Sequence, residues 1–340
     1  MPSIADQYRI IAAGAGWIDR SHTTGRLRLE GRDAIAFLQA LVSNDVSGLR
    51  EGLGVYATYL TPQGRMISDL RLYHRGDAVI AGVSAEVAAP LAGKLDLAIF
   101  SEDVRVTDVS GSLAEIVVVG GAASSCIARA LGADAGALDA LQMHGQLSVP
   151  GRFMARVDDA ALPAVAIVAP AAEAGAIAAA LDASGAAAMS PELVDALRVD
   201  VGRPAFGVDM DTETIPLEAG LLDRAISTSK GCYVGQEVII RVLHRGGGRV
   251  ARRLVKLSID PAVPHAPERG AALVVGERTT GRITSVARSL SDDRFIALGY
   301  VHRDDAESGR LVTIGGAGEA TAVIVDVIGA PAGAASSTSA

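Results

Sequence analysis

The residues best suited to chemistry in this 340-residue chain lie in one octapeptide, Lys230-Gly231-Cys232-Tyr233-Val234-Gly235-Gln236-Glu237. It holds one of only two cysteines, and the glycines around the thiol leave its backbone open to close approach. Arg241, His244, Arg245, Arg249, Arg252 and Arg253 follow in a dense basic run. A thiol near cations loses its proton more readily, and the thiolate is the form that attacks electrophiles or binds metals. The competing reading is a buried, inert cysteine, the commoner fate of a lone one. Asp69 is the second candidate. It sits in an alternating run, Arg65 to Tyr73, where a carboxylate needs a reason because Asp is depleted in strands. Either it faces solvent from a half-exposed sheet or it serves a site. The third candidate is the Gly-, Pro- and acid-rich stretch 201–221, since long irregular loops are where sites often sit. A solvated connector accounts for Asp209, Asp211 and Glu213, but less well for Glu218, flanked by Pro216, Leu217 and Leu221.

The elements that must position these groups are legible from periodicity. Residues 22–30 alternate as a strand with Leu27 and Leu29 on one face, and 33–41 have helical spacing with Asp33 as N-cap. Residues 55–60 and 65–73 form a β-hairpin around the turn Thr61-Pro62-Gln63-Gly64. A strand at 79–83, a helix over 85–100 and a strand at 104–109 follow. Residues 111–189 read as an inserted small α/β sandwich of buried strands and alanine-rich helices, with Cys126 packed in its core. It holds almost no ionisable residue arranged for chemistry and is assigned to scaffold. Val234, Val238 and Val242 keep a four-residue step, as do Ile239 and Leu243. That predicts a helix stopped by Gly246–Gly248 with Cys232 at its N-terminus, and the β-branched content makes a strand the competing reading. From residue 249 to 327, six short strands separated by turns predict a small antiparallel barrel or sandwich. The expected division is 1–245, 246–328 and a disordered tail over 329–340.

The octapeptide resembles the signature of YgfZ-type folate-binding proteins, relatives of the glycine-cleavage T-protein (aminomethyltransferase) that act in iron–sulfur cluster assembly or repair. Gly202-Arg203-Pro204…Gly207-Val208-Asp209-Met210 and Ile215-Pro216-Leu217-Glu218…Gly220-Leu221 are similar to further motifs of that superfamily, in the same order. The resemblance spans roughly residues 20–328. It implies an α+β fold, a T-protein-like folate-binding module with the inserted sandwich, followed by a C-terminal antiparallel β-barrel. It implies tetrahydrofolate as the cofactor, with Asp69 where T-proteins carry a catalytic aspartate and Tyr56 where they carry a folate-contacting tyrosine. Arg203, Glu213 and Glu218 from the loop, and Lys230, Tyr233, Gln236 and Arg241 around the thiol, complete the expected binding set. Cys232 is the second expected catalytic residue. Two departures count against intact transferase chemistry: Phe206 replaces a tyrosine, and Thr212 occupies the place of a folate-contacting glutamate, with Glu213 beside it. The expected function is a folate-binding accessory protein serving iron–sulfur assembly factors or client enzymes. The alternatives are a tetrahydrofolate-dependent aminomethyl- or methyltransferase, or an interaction protein with a degenerate pocket.

Composition narrows the field. Hydrophobic residues make up 49% of the chain and aromatics 4%, so the cores must be aliphatic. A net charge of −8 argues against general nucleic-acid coating, which needs clustered Lys and Arg. Two distant cysteines suggest no disulfide framework and no self-contained metal site. With no run of about 20 apolar residues and no export signal, the expectation is a soluble, cytoplasmic protein without membrane contact.

Overall fold

Alternation does place Leu27 and Leu29 on one face of a strand, and both are fully buried. The structure is a computed structural model that describes residues 3–245, 248–292, 294–315 and 320–329. The first strand, β1 (Gly16–Asp19), is claimed by a sheet completed much later in the chain. Next, β2 (Thr24–Glu30), β3 (Gly54–Leu60), β4 (Met66–Arg75), β5 (Ala78–Ser84) and β6 (Arg105–Asp108) form a five-stranded sheet in the order β3-β4-β5-β2-β6. Helices Ala34–Leu41 and Ala85–Asp96 cover one face of it, burying Phe37, Leu38, Leu91 and Leu95. Asp33 does not cap the first of these helices: its carboxylate accepts from the Asp103 amide at 2.8 Å, a cross-chain tie in place of a cap.

Strands β7 (Leu113–Val119), β8 (Gln146–Val149), β9 (Arg152–Val157), β10 (Ala164–Pro170) and β11 (Ala187–Ala188) join β1 in a second sheet, ordered β11-β1-β7-β10-β9-β8. β1 pairs antiparallel with β7 and parallel with β11. The N-terminal segment is thus stitched into the sheet formed mainly by residues 113–188. The C-terminal six strands, β12 (Arg252–Ile259), β13 (Ala272–Val275), β14 (Arg278–Arg288), β15 (Phe295–His302), β16 (Leu311–Ile314) and β17 (Thr321–Val327), close into an antiparallel barrel. Closure removes the unpaired edges that six short strands would otherwise expose. The tail expected to be disordered falls, from residue 330 on, outside the described residues. Among the described residues no helix is long and apolar enough to cross a membrane.

One apolar core joins all three sheets. Leu60 and Met66 of the hairpin, Val117 and Val157 of the second sheet, Leu193 and Leu197 of helix Pro191–Asp200, and Leu254 and Leu298 of the barrel share it. A buried charge ties the barrel to that helix. Asp209, with its side chain fully buried, accepts from Arg198 at 2.7 Å, from the Ala205 amide at 3.0 Å, and from the Thr284 and Ser285 hydroxyls at 2.6 Å each. Neighbouring strand residues normally point to opposite faces. A register shift in β14 between Ile283 and Ser285 is what lets both hydroxyls reach one carboxylate. Removing one member of such a buried pair leaves the other charged and unpaired. Asp209→Ala is therefore expected to lower unfolding stability by about 3 kcal/mol, measured by urea titration; a loss under 1 kcal/mol would show that the pair is worth no more than a surface one.

Candidate functional site

Antiparallel pairing sets Tyr56 opposite Arg71 and Thr58 opposite Asp69, so these four side chains share one face of the first sheet. The other face carries Ala57, Leu70 and Leu72 into the helix-covered core. On the shared face the Tyr56 hydroxyl donates to Asp69 Oδ2 at 2.8 Å. Burial, reinforced by the Asp69 charge, pushes the Tyr56 phenol well above its ordinary range, so it stays a donor. Asp69 itself is half-buried, and among the described residues no other side chain bonds to its carboxylate.

Around this pair lies a charged cluster drawn from distant segments. Asp159 pairs with Arg71 and Arg20. Burial alone would raise its pKa, but those two guanidinium groups hold the carboxyl well below the usual range. Asp158, 7% exposed, pairs with Arg224 at 2.9 Å and Arg203 at 3.2 Å. Burial again opposes ionisation there, and the Arg224 and Arg71 charges outweigh it. The Arg224 guanidinium lies 5.0 Å from the Tyr56 ring centroid, a cation–π contact of about 1 kcal/mol. His144 stacks on the same ring at 5.9 Å and 27°. Burial, then the charge of Arg71, pulls its imidazole down to about 4. His144, Asp158 and Asp159 belong to the region read from sequence as inert scaffold. The structure corrects that reading, because the second sheet delivers these three groups to the Tyr56 face of the first.

The hairpin tip is where the other candidate segments meet. The Met66 amide donates to Thr214 O at 2.9 Å, and Arg65 pairs with Glu213. Gly64, at φ 74°, and Gly235, at φ 82°, allow the octapeptide to lie on the turn: a β-carbon on Gly64 would sit 2.8 Å from that of Val238, too close for any side chain. Lys230 reaches across to the end of helix Ala34–Leu41 and donates to Gln39 O and Val42 O at 2.7 Å and to Asn44 O at 2.9 Å. Gln39 O is a helix-end orphan and the other two carbonyls lie just past the helix, which explains a lysine here in structural terms. Burial pulls its ammonium down to about 8, and Asp45 opposes that shift. Lys230 also covers the ring of Tyr233, which is buried, with a phenol that burial pushes up to about 12. Gln236 Oε1 accepts from the Tyr233 amide at 3.3 Å.

The helix expected after this motif is short. Only Gln236–Ile240 is α-helical, and Arg241–Arg245 continues as a π turn. Gly235 in the left-handed region cannot be a helical residue, and the β-branched run Val238-Ile239-Ile240 is a weak helix former. Cys232 therefore lies in the loop upstream, exposed to solvent, and not at a helix N-terminus. Of the basic run, Arg241 is exposed, Arg252 is engaged by buried Glu218 at 2.9 Å, and Arg253 donates to Gly248 O. Tyr56, Asp69 and Arg203 thus come together. Glu213 sits at the hairpin tip, Lys230 docks on the end of helix Ala34–Leu41 with Tyr233 and Gln236 beside it, and Glu218 faces the barrel. Among the described residues no group of three or more His, Cys, Asp or Glu side chains is arranged to hold a metal ion.

Comparison with known proteins agrees with this geometry. Residues 1–230 match the family model "GCVT N-terminal domain", and residues 252–329 match "Glycine cleavage T-protein C-terminal barrel domain". An aminomethyltransferase of Geobacillus kaustophilus is 28% identical over 92% of this chain and 86% of its own. One from Thermosynechococcus vestitus is 28% identical over 92% and 83%. The crystal structure of the glycine cleavage system aminomethyltransferase T from Bartonella henselae superposes with a TM-score of 0.84 over 95% of this chain and 88% of that one, at 21% identity. The expected fold, a T-protein-like module followed by a closed antiparallel barrel, is borne out.

Two outcomes follow from the contacts above. Lys230→Met strips three carbonyls of their donor and should cost about 1–3 kcal/mol in thermal or urea unfolding. His144 titrates near 4 folded against 6.5 unfolded, so between those values the unfolded chain binds the extra proton. Stability should then fall by on the order of 2 kcal/mol as pH drops from 6.5 toward 4. His144→Asn should flatten that slope in urea titrations across the same window; an unchanged slope would assign it to other groups.

Proposed function

Because this chain belongs to the glycine-cleavage T-protein family, we propose that it binds tetrahydrofolate against the Tyr56–Asp69 pair and acts as an aminomethyl- or methyltransferase of the T-protein type. The observation that carries this reading is Asp69: half-buried, oriented by one phenol, with an oxygen free to accept from a ligand N–H. A flat heteroaromatic ligand needs a largely apolar slot and a few placed polar groups. The Tyr56 ring and the Asp69 carboxylate are groups of those kinds. Tetrahydrofolate, when bound, supplies the amine nitrogens that carry a one-carbon unit. The chain's part is to orient those nitrogens through Asp69 and to balance the anionic glutamate tail with arginines such as Arg203. Phe206 and Thr212 remain the positions that depart from the transferase pattern.

A second reading, an accessory role for iron–sulfur assembly factors or client enzymes, is favoured by one observation: the Cys232 thiol is exposed, three residues before the Gly235 that packs on the hairpin turn. Transfer chemistry of the T-protein type has no use for a thiol. The decisive measurement is calorimetric titration with tetrahydrofolate. The natural chain should bind, Asp69→Ala should bind about tenfold more weakly, and Cys232→Ser should bind as the natural chain does. Absence of binding by the natural chain, or equal affinity in Asp69→Ala, would defeat the folate site. Undiminished iron–sulfur enzyme activity in cells carrying Cys232→Ala would defeat the accessory reading.

A further inference from the structure

We propose that His144, Asp158 and Arg224 form a clamp that positions the Tyr56 hydroxyl against Asp69. None of the three was legible as a site residue. They come from three places far from Tyr56 in sequence: the turn before β8 supplies His144, the residue after β9 supplies Asp158, and helix Leu222–Ala225 supplies Arg224. Each link is a direct contact. Asp158 holds the Arg224 guanidinium through its Nε and Nη2 atoms. That guanidinium and the His144 ring lie against the Tyr56 ring, and the Tyr56 hydroxyl meets Asp69. Asn44 fixes the backbone of the same two residues, donating to Tyr56 O at 2.8 Å and to Arg224 O at 3.3 Å.

The arrangement is expensive for the fold, which argues that packing alone did not select it. His144 is the only non-glycine residue at positive φ among those described, at 62°, in a turn closed by its amide donating to Arg156 O at 3.0 Å. Such backbone strain persists only where the surroundings over-determine it, and it clusters at functional sites. His144 Nδ1 and Asp158 Oδ1 are among the buried side-chain atoms without a protein hydrogen-bond partner, and burying a polar atom in that state costs free energy. What the cluster achieves is restriction of the Tyr56 ring, whose phenol is the one side-chain donor to Asp69 among the described residues. These are positioning residues, acting on the ligand only through Tyr56. Burial first, then the Arg71 and Arg224 charges, keep the imidazole neutral against the pull of Asp158 and Asp159.

The inference rests on the folate reading for its consequence but not for its geometry, so the test has two arms on the full-length protein. In the first, tetrahydrofolate affinity is measured for His144→Asn, which tolerates the left-handed backbone, and for Asp158→Asn. Each is made in the natural chain and in Tyr56→Phe. Each should weaken binding about three- to tenfold in the natural chain and have no further effect in Tyr56→Phe. Equal losses in both backgrounds would mean that the cluster acts through general packing and would overturn the clamp. In the second arm, without ligand, NMR of ring-labelled tyrosine should show the two sides of the Tyr56 ring as separate signals. They should average in His144→Asn and Asp158→Asn; a ring equally restrained in both variants would overturn the proposal. If Asp158→Asn does not fold, His144→Asn decides. If the natural chain does not bind tetrahydrofolate, the folate reading falls while the ring signals still judge the clamp.

Discussion

Two adjacent carboxylates, the buried Asp158 and the part-buried Asp159, are brought by the second sheet to the Tyr56 face of the first, and the rest of the site follows from that constraint. A buried carboxylate is tolerated only when cations and hydrogen bonds replace its water. Four arginines from four separate stretches of chain meet the demand: Arg20, Arg71, Arg203 and Arg224. Each is thereby fixed, and two of them bear on the hairpin that carries Asp69. Arg71 is a strand neighbour on the same face, and Arg224 covers the ring of Tyr56. The acids thus hold Arg71 and Arg224 in place beside the Tyr56–Asp69 pair.

A second buried acid does for the barrel what this pair does for the sheets. Asp209 gathers Arg198, the Ala205 amide and two hydroxyls of β14, and Glu218 adds Arg252 across the same boundary. The Gly-, Pro- and acid-rich loop therefore also serves as a joint. Its irregular backbone lets Asp209 and Glu218 turn toward the barrel while Thr214 bonds to the start of β4. Loops with such divided duties need glycine at the sharp points: a side chain on Gly220, at φ 70°, would collide with the backbone of Ile328.

The octapeptide has a similar division of labour. Lys230, Tyr233 and Gly235 are accounted for by contacts that dock the segment on the helix end and the hairpin tip. Once these are assigned, Cys232 is left exposed, as are Gly231 and Glu237. That is a sharper statement than the sequence permits, where the whole motif reads as one unit of chemistry.

How much was legible depends on how local the cause is. Period-two alternation and turn residues act within a few positions, so the Tyr56–Asp69 hairpin and the six barrel strands could be read directly, and the motifs identified the superfamily. Strand β1 escaped, because four residues have no pattern of their own and become a strand only through β7 and β11. The helix after Cys232 was overdrawn, since a four-residue step cannot register that Gly235 sits in a left-handed conformation. His144, Asp158 and Arg224 carry no local signal at all. A charge reveals its partner only when the chain is folded, because pairing depends on distance in space and on the removal of water, neither of which is written along the backbone. The sequence by itself determined the elements and the family; which acids meet which arginines, and so where Tyr56 points, was decided by the packing of two sheets against each other.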